Sequence, residues 1–291
     1  MATEQAYDDR DGWIWADGVW TPWREAKFHI LTHAMHYASA VFEGERAYNG
    51  KIFASYAHTE RLRDSAEALG FSLPYDLETL ESVKAEAIAK NGLADAYIRT
   101  IAWRGSEMMG VSAQKNTIHL AVATWAWGAY YGDAREKGTK LDIAKWRRPS
   151  PETIPCHAKA AGLYMICTLS KHAAEAKGCA DALMLDYRGY VTEATGANIF
   201  FVKDGAVHTP TPDCFLDGIT RRTVIDLLKE KGVAVIERHI KPEELADFEQ
   251  CFLTGTAAEV TAVAQIGPYS FEVGSLTKAA MDAYDAKVRA S

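Results

Sequence analysis

Residues 190–210 read YVTEATGANIFFVKDGAVHTP, and this stretch decides the fold class. Glu193 stands at the end of a short β-rich segment, followed by the small residues Ala194, Thr195, Gly196 and Ala197. Asn198 then opens an apolar run to Val202, and Asp204-Gly205 turns the chain into a second strand. Upstream lie a helical segment, GLYMICTLSKHAAEAKG (162–178), the strand ALMLD (182–186) and the turn Tyr187-Arg188-Gly189-Tyr190. Downstream, the periodicity predicts a helix over 219–232, strands over 233–239 and 250–256, and a last helix from about Thr277. Helices and strands interleave without a repeating unit, which is the pattern of an α+β chain.

The first part of the chain mixes elements in the same way. WIWADGVWTPW (13–23) places aromatic and β-branched residues around Asp17-Gly18, a hairpin signal. KFHILTHAMHY (27–37) and SAVFEGERAY (39–48) read as extended, half-buried segments. In HTERLRDSAEALG (58–70), Leu62, Ala66 and Leu69 recur at helical spacing and Gly70 ends the helix. LETLESVKAEAIAKNG (77–92) is a second amphipathic helix stopped by Asn91-Gly92. AYIRTIAWRG (96–105) and TIHLAVATWAW (117–127) read as buried strands. From there to Pro155 proline and charge accumulate around one strand, LDIAKW (141–146). The expected organisation is two lobes: a smaller N-terminal α/β domain over 1–127, a connector over 128–145 and a larger C-terminal domain over 146–291.

Composition narrows the function classes. The 291 residues are 48% hydrophobic and 24% charged, enough for a sizeable core. Thirty-two basic against 39 acidic side chains leave a net charge of −7, which disfavours nucleic acid or an anionic membrane as partner. No apolar run reaches the length of a membrane span, and MATEQAYDDRDG at the start is acidic where a secretory signal is basic. The cysteines, Cys156, Cys167, Cys179, Cys214 and Cys251, are odd in number and form no CxxC pair. They point to reduced thiols in a cytoplasmic protein rather than disulfides or zinc. The histidines form no HExxH or similar spacing, so no metal is expected.

Five places carry possible chemistry. Lys159, in CHAKAAGLYM (156–165), is flanked by Ala158, Ala160, Ala161 and Gly162, with no acidic residue until Glu175. An amine near apolar surface and away from carboxylates loses stabilisation of its cation and becomes available to attack an aldehyde; a lone loop lysine is otherwise a solvated charge. Glu193, at a strand end beside a glycine turn, can face a ligand approaching the backbone, and a fixed carboxylate is what keeps a pyridine nitrogen protonated. Two segments look like phosphate cradles. Asp217-Gly218 leads into a helix near Thr220, where free amides and the helix dipole favour an anion. The strand 251–253 runs into Thr254, Gly255, Thr256 and Ala257, whose amides and hydroxyls can wrap one. Arg61 would add a charge-assisted partner. Each signal has an ordinary structural reading: Thr220 as a helix cap, Arg61 as a helix-surface charge. Nucleotide-binding loops of the GxGxxG or GxxxxGK[ST] type and the GxSxG elbow are absent.

Taken in order, HAMHYASAVFEGERAY, HTERL, AYIR, TWAWGAYYG, the Ala-Lys before AAGLY, EATGANIF, DGITRR and LTGTAAEVTAV resemble the fold-type IV pyridoxal-phosphate enzymes, specifically the branched-chain amino-acid aminotransferases. The resemblance covers nearly the whole chain. It implies a two-lobed aminotransferase class IV-like fold with pyridoxal 5'-phosphate held as a Schiff base on Lys159, which also moves the proton. By the same resemblance Glu193 pairs with the ring nitrogen and Tyr164 with the ring's phenolate oxygen. Arg61, Ile219, Thr220 and Thr256 hold the phosphate. Tyr97 and the amides of Thr256 and Ala257 hold the substrate α-carboxylate, and Arg99 recognises the distal carboxylate of glutamate. Phe42, Tyr37, Trp127, Tyr130 and Val111 form the side-chain pocket, Tyr37 and Val111 reaching in from a second subunit.

The implied reaction moves the amino group of L-leucine, L-isoleucine or L-valine to 2-oxoglutarate in ping-pong order. The implied partners are small amino acids and 2-oxo acids, in a homodimer or higher homo-oligomer with its active site at the subunit interface. A D-amino-acid or amine transaminase and an aminodeoxychorismate-type lyase share the fold and stay open as alternatives. Two departures from the family pattern are Leu163, where many relatives have asparagine, and Ala262, where proline is frequent.

Overall fold

The computed structural model describes residues 5–128 and 134–290. They fall into two compact units, Met1–Gly128 with Ala158–Gly162, and Ala129–His157 with Leu163–Ser291.

The first unit is built on an antiparallel sheet. Its hairpin is β1 (Trp13–Ala16) and β2 (Val19–Pro22), with Trp13 opposite Pro22. The turn needs left-handed backbone at both central positions, and Asp17 (φ 50°) and Gly18 (φ 88°) supply it. Residues 33–37 depart from expectation: they form a one-turn helix, α1 (His33–Tyr37), closed by Ala38 at φ 54°. Over so few residues an alternating pattern and a single helical turn look alike. The extended reading holds for the next segment, as β3 (Ala40–Phe42) and β4 (Glu45–Tyr48). The short β5 (Lys51–Ile52) then leads into α2 (Ser55–Ala68) and α3 (Leu77–Lys90). Asp76 caps α3 by accepting from the Thr79 amide at 2.8 Å.

β6 (Ala96–Arg104) and β7 (Ile118–Ala126) complete the sheet, in the order β2-β1-β7-β6-β4-β5 with β3 also on β6. Period-two alternation sorts β6 into two faces. Ala96, Ile98, Thr100 and Ala102 are fully buried, on the face opposite to Tyr97 and Arg99. α3 lies against β1 and β7, with Leu80, Ala87 and Ile88 buried. Lys84 of α3 is buried too, and its Nζ reaches Glu45 Oε2 (2.7 Å), Thr59 Oγ1 (2.7 Å) and Glu81 (2.8 Å). A charge buried this way is tolerated only with such partners. Residues 158–162 join this unit through a bridge of Ala160 to Val41 and a bond from the Phe42 amide to the Lys159 carbonyl.

The second unit contains α4 (Ala134–Lys137), β8 (Thr139–Ile143), α5 (Met165–Glu175), β9 (Asp181–Leu185), β10 (Val191–Ala194), β11 (Asn198–Lys203), β12 (Ala206–Thr209), α6 (Ile219–Glu230), β13 (Val235–Glu237), β14 (Gln250–Gly255), β15 (Glu259–Ile266), β16 (Tyr269–Ser270) and α7 (Ser275–Ala290). The segment 128–145, expected as a connector around one strand, does carry that strand, which begins at Thr139 and ends at Ile143. β8 is only five residues long and sits among charged and small residues that resemble a linker. The strands run β10-β9-β8-β15-β14-β11, and β10 also pairs β11, so six of them form a closed ring; β12 and β13 extend it and β16 adds to β15. One face buries Leu141, Leu183, Ile199, Phe201, Leu253 and Val263 in a single apolar cluster. On alternate positions Phe200 and Phe252 stack at 4.9 Å, and α6 and α7 lie against β14. Ala262, fully buried on β15 opposite Phe252, occupies a central strand where proline would lack a ladder donor. Among the described residues no helix is long and apolar enough to cross a membrane.

Candidate active site

In the first unit, Lys159 is fixed through its backbone. Its amide donates to Ser65 Oγ (3.0 Å) and its carbonyl accepts from the Phe42 amide (3.1 Å). Ala158 and Ala160 on either side are buried. The Lys159 Nζ stands 5.0 Å from the centre of the Phe42 ring, and the Arg99 guanidinium 4.7 Å from that same ring. Arg99 also donates to the Tyr97 hydroxyl at 3.2 Å. Tyr97 is wedged against Trp125 (5.0 Å) and Trp127 (4.8 Å). Gly44 lets the Tyr97 hydroxyl come this close to the chain: a Cβ there would lie 2.0 Å from the oxygen. Lys159, Phe42, Tyr97, Arg99 and Trp127 thus form one aromatic, cation-bearing cluster.

Arg61 is positioned by a residue the sequence reading did not single out. Its Nε and Nη2 form a fork onto Glu43, at 2.7 and 2.8 Å, and His58 Nδ1 meets the same carboxylate at 2.6 Å. Glu43 is fully buried. Burial opposes its charge, but Arg61 and His58 outweigh burial and hold the carboxyl well below its ordinary range. Neighbouring Glu45 goes the other way: burial raises its pKa more than Lys84 and His58 lower it. The available signal was two glutamates flanking Gly44 in an apolar stretch, with His58 and Arg61 one helical turn apart.

In the second unit, Glu193 is buried and held on both oxygens. Arg148 Nη2 meets Oε1 at 2.7 Å, and Asn198 Nδ2 donates to Oε2 at 3.1 Å. Arg148 is itself buried and donates to the Leu163 carbonyl at 3.4 Å. Burial works against its charge, but Glu193, Cys167 and Tyr164 nearby prevail and raise its pKa. Tyr164 stands half-buried at the start of α5. Arg148 falls just inside the expected C-terminal domain, and nothing in its proline-rich surroundings marks it.

The α6 N-terminus carries no side-chain cap, and no acidic residue lies in its first turn. Asp217, just before it, is paired with the buried Arg221 at 2.8 Å. Ile219 and Thr220 are buried at this end. Across the sheet, Thr254 pairs in register with Asn198. Its hydroxyl is buried and has no hydrogen-bond partner among the described residues. Gly255, Thr256 and Ala257 follow, half-buried. Uncapped amides, a hydroxyl awaiting a partner and a buried carboxylate fit an anion-bearing ligand with a basic ring nitrogen.

The remaining expectations fall elsewhere. Tyr37 stacks on His33 at 4.5 Å but is half exposed, and Val111 is 85% exposed. Tyr130 lies outside the described residues. Asp186, Asp213 and Cys214 come close enough to hold a cation. Arg188, however, already bridges both carboxylates, and burial pushes the Cys214 thiol up to about 12, against metal-binding thiolate.

The family model for Amino-transferase class IV matches residues 40–266. The chain belongs to that family. Its relatives include the branched-chain-amino-acid aminotransferase of Pseudomonas aeruginosa, 40% identical over 263 residues, which are 89% of this chain and 86% of that protein. The T.th. branched-chain amino acid aminotransferase, solved with pyridoxamine 5'-phosphate, superposes with a TM-score of 0.93 at 37% identity, over 97% of this chain and 95% of that one. The same enzyme complexed with N-(5'-phosphopyridoxyl)-L-glutamate gives 0.92 at 36%, with the same coverage. The fold is that of the fold-type IV aminotransferases.

Proposed function

We propose that this aminotransferase moves the amino group of L-leucine, L-isoleucine or L-valine to 2-oxoglutarate in a ping-pong cycle dependent on pyridoxal 5'-phosphate. One observation carries the reading: a lysine amine and an arginine guanidinium share the Phe42 ring within an aromatic cluster. A site that takes an aliphatic side chain in one half-reaction and a dicarboxylate in the other needs apolar walls and one cation. The cofactor supplies the electron sink. Lys159 would hold the cofactor through its side-chain amine and would move the proton at the substrate Cα. Glu193 holds the proton on the ring nitrogen, and Arg148 fixes Glu193 in place. Tyr164 hydrogen-bonds the ring oxygen. Arg61, the α6 amides at Ile219 and Thr220, and Thr256 hold the phosphate. Tyr97 with the Thr256 and Ala257 amides holds the α-carboxylate, and Phe42, Trp127 and Tyr130 receive the side chain. The T.th. enzyme's complex with a phosphopyridoxyl-glutamate adduct supports glutamate as one substrate.

The exposed apolar residues Phe28, Ile30, Met35, Tyr37 and Val111 are read as a face covered by a second copy, in a cytoplasmic homodimer. Holoprotein treated with borohydride should carry the pyridoxyl group on Lys159, and a donor panel with 2-oxoglutarate should release glutamate fastest with leucine, isoleucine or valine. A label on another lysine removes Lys159 from the role. Preference for D-amino acids or amines, or pyruvate release without an acceptor, would replace the substrate assignment.

A further inference from the structure

In the second unit, the residues proposed to meet the two ends of the cofactor are joined through a single side chain. Asn198 is 5% exposed, and its amide is engaged on both sides. Nδ2 donates to Glu193 Oε2 (3.1 Å) and to the Leu216 carbonyl (3.0 Å), while Oδ1 accepts from the Gly218 amide (3.2 Å). The orientation is dictated chemically: a carboxylate and a carbonyl can only accept, and a backbone N–H can only donate, so a flipped amide would mismatch all three. Gly218 is the residue from which α6 springs, and a Cβ on it would lie 2.3 Å from Asn198 Oδ1. The backbone repeats the linkage, because Asn198 is paired in register with Glu193 on β10 and with Thr254 on β14.

We propose that Asn198 is a positioning residue that sets the spacing between the Glu193 carboxylate and the α6 N-terminus, so that the ring nitrogen and the phosphate of one cofactor are met together. An aspartate would match its shape but place a second anion beside Glu193 and lose both donors. A serine or alanine would release Gly218 and Glu193 from each other. This rests on the assignment of Glu193 and α6 made above.

The test uses purified full-length protein stripped of cofactor and reloaded. Wild type must first bind pyridoxal phosphate, show its visible band and take the borohydride label on Lys159; failure there sinks the proposed function itself. With wild type behaving so, Asn198→Ala and Asn198→Asp should weaken pyridoxal phosphate binding by at least about tenfold, the loss of a hydrogen bond to a charged group. They should also displace the pH profile of the visible band by about one unit. Gly218→Ala, altered only at the phosphate end, should displace that ring-end profile in the same direction by pushing on Asn198. In a Glu193→Gln background the displacement caused by Asn198→Ala should vanish. Folded Asn198→Ala protein with wild-type affinity and profile, even at a lower Tm, would reduce Asn198 to scaffold. If neither Asn198 variant folds, an unmoved profile in Gly218→Ala overturns the proposal.

Discussion

Replacing Arg99 with methionine should separate the two half-reactions. Methionine keeps a flexible apolar stem against Phe42 and removes the charge together with its donation to the Tyr97 hydroxyl. The structure sets the stability side of the forecast. Arg99 shows no carboxylate partner among the described residues; its contacts are the Phe42 and Tyr97 rings and the Tyr97 hydroxyl. No buried anion is left stranded, so the cost is that of exposed to half-buried cation–π contacts, about 0.5–1 kcal/mol. With an unfolding entropy of about 2 cal/mol/K per residue, that lowers Tm by less than about 2 °C. On the activity side, the proposed contact to a distal carboxylate would be charge-assisted, about 1.5–3 kcal/mol, or roughly 10- to 150-fold. That factor should appear in kcat/KM for 2-oxoglutarate and glutamate. Single-turnover reaction with leucine, followed by the loss of the cofactor's visible band, should stay near wild type. Equal losses for leucine and 2-oxoglutarate, together with a Tm drop of several degrees, would refute dual recognition and make Arg99 structural.

Glu193→Gln should keep the cofactor but slow turnover by at least about 100-fold, about 2.7 kcal/mol of barrier; near-wild-type kcat would take Glu193 out of the mechanism. Glu43→Gln strips a buried carboxylate from Arg61 and His58 and should cost about 3–5 kcal/mol in denaturant unfolding, with phosphate-end affinity falling in parallel. Because the folded pKa of Glu43 lies below its ordinary 4.5, its stabilisation is complete above that value and drains away as pH falls towards the folded pKa. Wild type should therefore lose stability more steeply than Glu43→Gln below about pH 4.5, a window in which Glu45, with its raised pKa, is already protonated in both states and adds no slope; superimposable acid-unfolding curves would contradict this.

How much was legible in the sequence follows physical lines. Elements with long, regular periodicity were readable: α2, α3, α6, β6, β7 and the β1–β2 hairpin all lie where the pattern predicts. The single-turn α1 was not, because five residues cannot distinguish periods of 2 and 3.6. β8 was partly hidden by its linker-like setting, since a short parallel strand is specified by neighbours distant in sequence. For the site, residue types with distinctive chemistry stood out: Lys159, Glu193 and the small-residue loops. What escaped were the charges and amides that hold them. Glu43, Arg148 and Asn198 act by pairing across elements, and a partner brought in by folding leaves no local spacing to read.

The closed ring of strands also imposes an order in time. Every strand of the first unit's sheet lies within the first 126 residues, so its pairings can form early in synthesis. β8 emerges next, but one of its two neighbours is β15, with Thr139 set against Val263, and the whole of β9 to β14 must be made in between. Pairings so distant along the chain close slowly, and until β15 arrives the edge of β8 away from β9 stays open to other chains. During those seconds at the ribosome, that one unpaired edge is where the half-made second unit is most open to pairing with another chain.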